Sequence, residues 1–451
     1  MRVQKINFIN YKMFKNHEVI FGTDNQPTIS FLVGNNGAGK TIVLESIYNL
    51  FTNPFNTPED FEVEYTILLT EDEKTELSIT DNSFICHLKK NGNNISRTCK
   101  KITGEALGDI NISQASKIVY STIEVVFSEQ NFTTITAKNT DDTLKPKEKS
   151  QNLSTEIPQL LIDIKNIDDS ENSEWLQNNL EKPGKDKPAT IGIRLKRFTE
   201  AFHKIYNGSK KFKEIKNENN SKKIIFLDLE SNEISLNQLS TGEKQVIYRV
   251  GYLLKNLNNL KGGIVLIDEP EISMHPVWQT ALKNFIKEVF TGFDIQIIIS
   301  THSPYIFKQL NNEDEVVIKL DKTKSNSTKI DLNFKNKNFI PSVNLISYIA
   351  YGITSDSLHT ELYTWLQIQE NKEIISGTET WLKSTTGGDV INFKTFLRTK
   401  AYKREVVGAS VRETLPTFIR NKINHGDEIG RSYSEIELED SIKILLSLLK
   451  V

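Results

Sequence analysis

The fold of this chain is decided by a run of eight residues, which reads Gly34, Asn35, Asn36, Gly37, Ala38, Gly39, Lys40 and Thr41. The run fits the pattern GxxxxGK[ST] in full, and an apolar stretch before it predicts a strand that leads into a following helix. Its glycines allow backbone N–H groups to face phosphates, and the helix start adds the positive end of a dipole. We therefore expect the whole run to bind ATP, with Lys40 at the β- and γ-phosphates and Thr41 on Mg²⁺.

A second nucleotide motif lies at residues 263–270, where an apolar run ends in the two acids Asp268 and Glu269. A strand without polar residues is typical of the centre of a parallel sheet. Acids at its carboxyl end lie where open α/β sheets bind ligands. Phosphoryl transfer needs mainly positioning and charge neutralisation, so we expect Asp268 to hold Mg²⁺ and Glu269 to orient the attacking water.

Two further motifs select one class of phosphate-loop proteins. Residues 239–245 read LSTGEKQ, which alone would fit a helix N-cap, and residues 300–304 read STHSP after another apolar strand. The order of the four motifs resembles the ABC ATPase set of Walker A, signature, Walker B and switch histidine. That resemblance implies that Ser240 and Gly242 contact the γ-phosphate held by a second copy, and that His302 senses it.

Other segments resemble the SMC, RecF and OLD branch of that class. Residues 8–14, FINYKMF, look like its first strands, and residues 271–276, EISMHP, look like its D-loop variant. By the same resemblance, Gln130 is either the metal-binding glutamine of the Q-loop or an ordinary loop residue. His275 fits a structural position or the seam of a dimer better than a catalytic one.

The motif positions predict the domain organisation. We expect an α/β fold, namely an ABC-type P-loop NTPase head with an inserted mixed helical segment and a mostly helical C-terminal region. The first half of the ATPase lobe is expected at 1–137, the helical insertion at 138–206, the second half at 207–310 and the C-terminal region at 311–451. The insertion lacks sustained heptads, which argues against a long coiled coil.

The composition indicates the cellular compartment and the kinds of partner that the chain can have. The formal net charge is −2 with 25 % charged residues, which indicates neither a basic nucleic-acid coat nor an acidic tail. Cys86 and Cys99 are too few for a disulfide framework, and no run approaches the roughly 18 to 20 apolar residues of a membrane span. The N-terminus also lacks a signal-peptide core. We expect a cytoplasmic protein that does not associate with membranes.

Two polar segments leave alternatives open. The lysine-rich stretch 204–223 fits a solvated loop better than a set of nucleic-acid phosphate contacts. Arg420 and His425 match the R-x₄-H pattern of HEPN ribonucleases, and they also fit the end of a helix that stops at Gly426.

The combination of motifs indicates a function. Residues 310–451 show no TOPRIM nuclease pattern, and the chain resembles ATPase subunits of anti-phage systems such as Septu, PARIS and retron-associated ATPases. We expect an ATPase that dimerises head to tail around ATP and Mg²⁺, senses phage, and controls a separate nuclease or toxin. The alternatives are a DNA-repair ATPase of the RecF or SMC kind, which DNA would stimulate, and an ATP-gated HEPN-like ribonuclease acting alone.

Overall fold

The computed structural model describes residues 1–22, 28–52, 59–108, 110–123, 132–179, 186–218, 221–307, 310, 314–321, 326–330, 342–384, 400–403, 410–424 and 433–449. These residues form two compact units, Met1–Ile330 and Asp331–Val451, which we describe separately. In the described part of the chain, no helix has the length and hydropathy needed to cross a membrane.

The first unit contains both strands and helices. Its strands are β1 (Arg2–Tyr11), β2 (Phe14–Ile20), β3 (Ile29–Val33), β4 (Phe61–Leu68), β5 (Ser83–Asn91), β6 (Asn94–Lys101), β7 (Ala106–Leu107), β8 (Ile118–Ser121), β9 (Lys147–Lys149), β10 (Lys211–Glu218), β11 (Ser221–Leu227), β12 (Glu233–Ser235), β13 (Ile264–Asp268), β14 (Gln296–Ser300), β15 (Glu315–Lys319) and β16 (Thr328–Ile330). Its helices are α1 (Lys40–Thr52), α2 (Glu71–Leu77), α3 (Ile112–Ala115), α4 (Leu153–Asn179), α5 (Arg194–Ile205), α6 (Thr241–Lys255) and α7 (Pro276–Phe290).

A largely parallel sheet forms the centre of this unit, with the strand order β16-β15-β3-β14-β13-β8-β9. Every residue of β3, β13 and β14 is buried, because apolar runs of this kind are covered on both faces. Among the described strands of this sheet, only the edge strand β16 pairs antiparallel with its neighbour. The carboxyl ends of the parallel strands share one edge, and that edge carries the phosphate loop, Asp268 and Ser300. The sheet extends beyond residue 310, because β15 pairs with β3.

An antiparallel sheet with the order β2-β1-β4-β5-β6-β7 packs against the same core. Burial alternates along β4, so one face of the strand packs inward and the other faces solvent. The inward residues join Val43 and Leu44 of α1 and Leu266 of β13 in one apolar cluster. Cys86 and Cys99 lie directly opposite each other on β5 and β6, and both thiols are buried.

The inserted segment is helical, as the sequence indicates, since α4 and α5 account for most of it. The lysine-rich stretch that follows differs from the expected loop. It forms the hairpin β10–β11 within a three-stranded antiparallel sheet. Lys213 and Lys216 both pair with Glu233, and Lys223 Nζ lies 2.8 Å from Glu218 Oε2. The alternation of lysines with apolar residues therefore reflects strand geometry, in which the charged side chains find cross-strand partners.

The second unit is mostly helical. Its helices are α8 (Val343–Tyr351), α9 (Asp356–Gln369), α10 (Ile375–Ser384), α11 (Leu415–Asn424) and α12 (Glu435–Leu449), and a hairpin pairs β17 (Lys400–Lys403) with β18 (Ser410–Glu413). Leu358, Leu362, Ile419, Ile442 and Leu445 are among the residues of its separate apolar core. The α/β head and the helical C-terminal region predicted from the sequence are therefore confirmed.

Candidate ATP-binding site

The phosphate loop connects the end of β3 to the start of α1. Its glycine residues allow the backbone to curl tightly here. Gly39 has a φ of +92°, and a Cβ atom at this position would lie 2.4 Å from Cζ of Phe14. Both the left-handed backbone and the close approach of the aromatic ring therefore require glycine. The loop presents its backbone at the N-terminus of a helix, which is a favourable position for an anion.

Lys40 is the cation of the loop, and only 5 % of the residue is exposed. Its Nζ donates to the carbonyl oxygen of Gly34 at 3.0 Å and lies 2.6 Å from Nε2 of His302. Burial lowers the pKa of Lys40, and the charges of Glu269, Asp268 and Glu271 oppose that change. A buried ammonium held by a carbonyl and an imidazole has few strong partners, which suits it to an incoming phosphate.

Asp268 ends β13 and is held by hydroxyl groups from the neighbouring strands. Oγ of Ser300 donates to Oδ1, and the phenol of Tyr120 donates to Oδ2 at 3.2 Å. Burial, and then the charge of Asp268, raise the pKa of Tyr120, so this phenol stays protonated and remains a donor. Sequence reasoning missed both hydroxyl groups, because their positions depend on strand order.

Asp268 and Thr41 line one cavity of about 530 Å³. A carboxylate and a hydroxyl oxygen suit Mg²⁺, which prefers oxygen ligands and commonly keeps water and substrate phosphate in its shell. Within the described residues, no group of three or more His, Cys, Asp or Glu residues could hold a metal by itself. The carboxylate of Asp268 and the hydroxyl group of Thr41 therefore fit Mg²⁺ that arrives with a phosphate ligand.

Glu269 and His302 meet beside Lys40. Oε1 of Glu269 lies 3.2 Å from Nε2 of His302, and both side chains are partly exposed. Glu269 has a left-handed φ of +43°, and its N–H donates to both O and Oγ of Ser300 at 3.1 Å. Burial lowers the pKa of His302, Lys40 lowers it further, and Glu269 opposes both. The predicted switch histidine therefore contacts both the predicted phosphate cation and the predicted water-orienting acid.

Glu271 orients the loop that carries the switch histidine. Its Oε1 accepts from the backbone N–H of His302 at 2.5 Å and from Oγ1 of Thr301 at 2.9 Å. Burial raises the pKa of Glu271, because its surroundings disfavour the ionised form. The sequence indicated only that Glu271 begins the D-loop variant, so its contact with residues 301 and 302 is an additional structural finding.

The signature segment starts α6. Ser240 is exposed and forms a capping box, in which its N–H donates to Oε2 of Glu243 at 2.7 Å and its Oγ accepts from the N–H of Glu243 at 3.3 Å. Gly242 is buried, and a Cβ atom there would lie 2.3 Å from the carbonyl oxygen of Ser273. The close approach of Gly242 to Ser273 packs the signature against residues 271–276, and the described contacts of Ser240 do not include Lys40.

The other predicted positions have different outcomes. Nδ1 of His275 accepts from the N–H of Val277 at 3.3 Å, so this side chain caps the start of α7. Nη1 of Arg420 donates to Oδ1 of Asn421 at 3.2 Å within the second unit. Gln130 and His425 lie outside the described residues.

The parallel sheet and the site at its carboxyl edge define an ABC-type P-loop ATPase. Family comparison agrees with this class, and the chain belongs to the AAA ATPase domain family, whose model matches residues 60–307. A second model, described as an AAA domain, matches residues 1–105.

Curated relatives include retron and Septu proteins. The Retron Vc95 probable ATPase of Vibrio cholerae serotype O1 biovar El Tor is 26 % identical over 389 residues, covering 70 % of this chain and 73 % of that protein. The Septu protein PtuA of Bacillus thuringiensis is 25 % identical over 313 residues, covering 65 % and 70 % respectively. The Retron Ec83 probable ATPase of Escherichia coli is 33 % identical over 104 residues, covering 21 % and 19 %.

Solved structures with a similar fold include SMC heads. An SMC head bound to the C-winged helix domain of ScpA has a TM-score of 0.45 and 13 % identity, covering 73 % of this chain and 98 % of that chain. The SMC head domain from Thermotoga maritima has a TM-score of 0.38 and 14 % identity, with the same coverage.

Proposed function

We propose that two copies of this ATPase bind ATP and Mg²⁺ between them in a head-to-tail arrangement. The observation that carries this proposal is the separation of the two anion-binding helix starts. His302 contacts both Lys40 and Glu269, whereas Ser240 is exposed and pairs with Glu243. An exposed helix start can serve a phosphate held by another copy.

Within one copy, each residue of the site has a distinct task. Lys40 leaves the carbonyl of Gly34 and the imidazole of His302 to pair with the β- and γ-phosphates. Thr41 and Asp268 supply oxygen ligands for Mg²⁺, which neutralises charge on the phosphates when it is bound.

Hydrolysis also requires a positioned water. Glu269 stands next to His302, and its carboxylate orients the attacking water as the γ-phosphate leaves. Before hydrolysis, His302 is released from Lys40 and contacts the γ-phosphate. Its backbone N–H and the hydroxyl group of Thr301 both bond to Glu271, which links the presence of the γ-phosphate to Glu271. Gln130 is a candidate for a further metal contact.

At the level of the cell, we propose that the chain is the sensor or regulatory subunit of an anti-phage system. The similarity to retron probable ATPases and to a Septu protein supports this role. The absence of a TOPRIM pattern in residues 310–451 of the sequence favours a separate nuclease or toxin as the effector. In such a system, ATP-dependent closure of two heads would set the state of the effector.

The Glu269→Gln variant tests the two-copy arrangement. Glutamine keeps the size of the side chain but cannot accept a proton from water, so the variant should bind ATP, close and hydrolyse slowly. We expect light scattering to show a dimer, or a larger assembly built from dimers, only when ATP and Mg²⁺ are present.

The matched control is Glu269→Gln combined with Lys40→Ala, which should remain unchanged in mass because ATP no longer binds. A wild-type monomer that hydrolyses ATP at full rate under dilution would contradict the two-copy arrangement.

A further inference from the structure

Arg249 lies inside the head and bonds to several parts of the site. Only 1 % of the residue is exposed. Its Nε donates to Oε1 of Gln245 at 3.0 Å, and its Nη1 donates to Oγ of Ser121 at 3.2 Å and to the backbone carbonyl of Asp268 at 3.4 Å. Its Nη2 donates to the backbone carbonyl of Ile123 at 3.2 Å. The guanidinium therefore contacts the end of β13 and the end of β8.

All of these acceptors are neutral groups, and within the described residues no carboxylate forms an ion pair with Arg249. Burying an ion without a direct partner costs free energy, and apolar side chains of similar volume often replace buried ions without loss of stability. The charges of Glu271, Asp268 and Glu269 favour the charged form, whereas burial lowers the pKa of Arg249 to about 10. Packing alone therefore gives no reason for a cation at this position.

The position of Arg249 on α6 gives a reason. The same helix begins at the signature, and Arg249 lies about two and a half turns after Ser240. Asp268, whose carbonyl Arg249 holds, is also bound through its carboxylate by Tyr120 of β8 and Ser300 of β14. One rigid helix thus connects the exposed signature to the strand ends that place the carboxylate of the site.

We propose that Arg249 is a positioning residue that couples the signature helix to Asp268 of the same copy. When the signature contacts ATP on a second copy, a displacement of α6 reaches the carbonyl of Asp268 through the guanidinium. This inference rests on the proposed two-copy arrangement. Each copy then adjusts its own site in response to the nucleotide of its partner.

The planar fork of arginine suits this task, because its donors point in several fixed directions. A lysine has the charge, yet its single ammonium cannot reach all the acceptors in the same geometry. A methionine fills much of the volume and offers no donor. The series Arg, Lys, Met therefore separates charge, geometry and packing.

Steady-state ATP hydrolysis by the full chain tests the coupling. We expect Arg249→Met to lower kcat by about 10- to 100-fold, which is the range for losing hydrogen bonds from a charged donor at the site. KM should stay within about threefold, because Arg249 does not touch the phosphate loop. Arg249→Lys should fall between Met and the wild type.

Two further variants separate positioning from general damage. Ser121→Ala removes one acceptor of the guanidinium and should lower kcat by about three- to tenfold without disturbing the fold. Tyr252→Phe is the matched control, since its buried hydroxyl on the same helix donates to the backbone carbonyl of Tyr120 at 3.4 Å. We expect this control to keep kcat within about twofold, because Asp268 retains its partners.

The outcomes show whether Arg249 positions Asp268 or only contributes to the packing of the head. Unchanged kcat in folded Arg249→Met would overturn the inference, and so would equal losses in Arg249→Met and Tyr252→Phe. If Arg249→Met does not fold, Ser121→Ala decides by the same criterion. The Glu269→Gln scattering experiment is run alongside. Failure of that protein to assemble would refute the two-copy arrangement, whereas assembly with unchanged kcat in the Arg249 and Ser121 variants would refute only the coupling.

Discussion

The N-termini of α1 and α6 can both bind an anion, but the residues that surround them differ. Both are helix N-termini with a glycine and a lysine nearby, and both can attract an anion. At α1, Lys40 is buried and points back to the loop carbonyl of Gly34. At α6, Ser240 is exposed, and the carboxylate of Glu243 already occupies its N–H.

This difference shows that the phosphate affinity of a helix N-terminus depends on the charged residues around it. The first turn of α1 contains no acid, so its dipole and Lys40 face a phosphate without competition. Glu243 in the first turn of α6 partly neutralises that helix start. We therefore expect α1 to supply most of the binding free energy for ATP, and we expect α6 to make a weaker contact that matters for turnover.

The largest expected effect follows from removing the cation at α1. Lys40→Ala should weaken ATP binding by at least about 100-fold, because a charge-assisted hydrogen bond to phosphate is lost in a buried setting. Isothermal titration calorimetry with ATP and Mg²⁺ measures the affinity directly. Undiminished affinity would refute the assignment of this loop as the ATP site.

Lys244→Ala is the matched control at the other helix start. Nζ of Lys244 donates to the backbone carbonyl of Asn237 at 2.7 Å, near the signature. We expect the ATP affinity of this variant to stay within about twofold of the wild type, since the contact is local and its loss is worth little at an exposed position. Equal losses in the two variants would remove the distinction between α1 and α6.

A smaller effect is expected from blocking α6. Ser240→Arg places a long cation at the exposed helix start, so the chain should bind ATP normally but fail to close on a partner. We expect its turnover to fall by at least about tenfold, which corresponds to the loss of one well-placed hydrogen-bonding contact in the transition state. Calorimetry and a steady-state ATPase assay give the two quantities.

Mixing variants sharpens the test. In a pair of Ser240→Arg with Glu269→Gln, one composite site contains both changes and the other contains neither. The intact site should restore measurable hydrolysis if the sites act independently. If the mixed dimer forms but hydrolysis is not restored, the two sites are strongly coupled. Arg249 is the residue that we propose transmits this coupling.

Part of this site could be predicted from the sequence because its chemistry is local. The phosphate loop, Asp268, Glu269 and His302 each stand in a short motif next to a strand. Their mutual contacts follow from a parallel sheet whose carboxyl ends share an edge. The fold class was predictable for the same reason, since motif order determines which strands flank the loop.

Other contacts could not be predicted, because they depend on which strands become neighbours. Tyr120 and Ser300 reach Asp268 only when β8 and β14 flank β13. Arg249 does carry a weak signal, because it lies one turn after Gln245 in an otherwise apolar part of α6. The sequence alone does not show that the side of α6 carrying Gln245 and Arg249 faces the interior of the head. The lysines of β10 led to the wrong prediction of a loop, because their partner Glu233 lies on β12 and this pairing is not visible in the sequence.

The smallest effect is expected from replacing a glycine outside the phosphate loop, and two such glycines can be compared. Gly242→Ala places a methyl group 2.3 Å from the carbonyl of Ser273, so the backbone at the start of α6 must shift. We expect a loss of about 1–3 kcal/mol in the free energy of unfolding, as for overpacking at a tight site. Gly262→Ala is the control, because its φ of +74° causes strain although no atom lies within 4 Å of the added carbon.

The strain at Gly262 should cost about 1 kcal/mol, and this cost should leave turnover unchanged because the residue is remote from the signature contacts. Gly242→Ala should lower both the midpoint of thermal unfolding and the rate of ATP hydrolysis, since Ser240 moves with the helix start. Its ATP affinity should stay near the wild-type value, because Lys40 and the phosphate loop are unaltered. A Gly242→Ala protein that keeps wild-type turnover would show that the packing of α6 on Ser273 does not govern the signature contact. That result would leave α1 as the sole helix start on which hydrolysis depends.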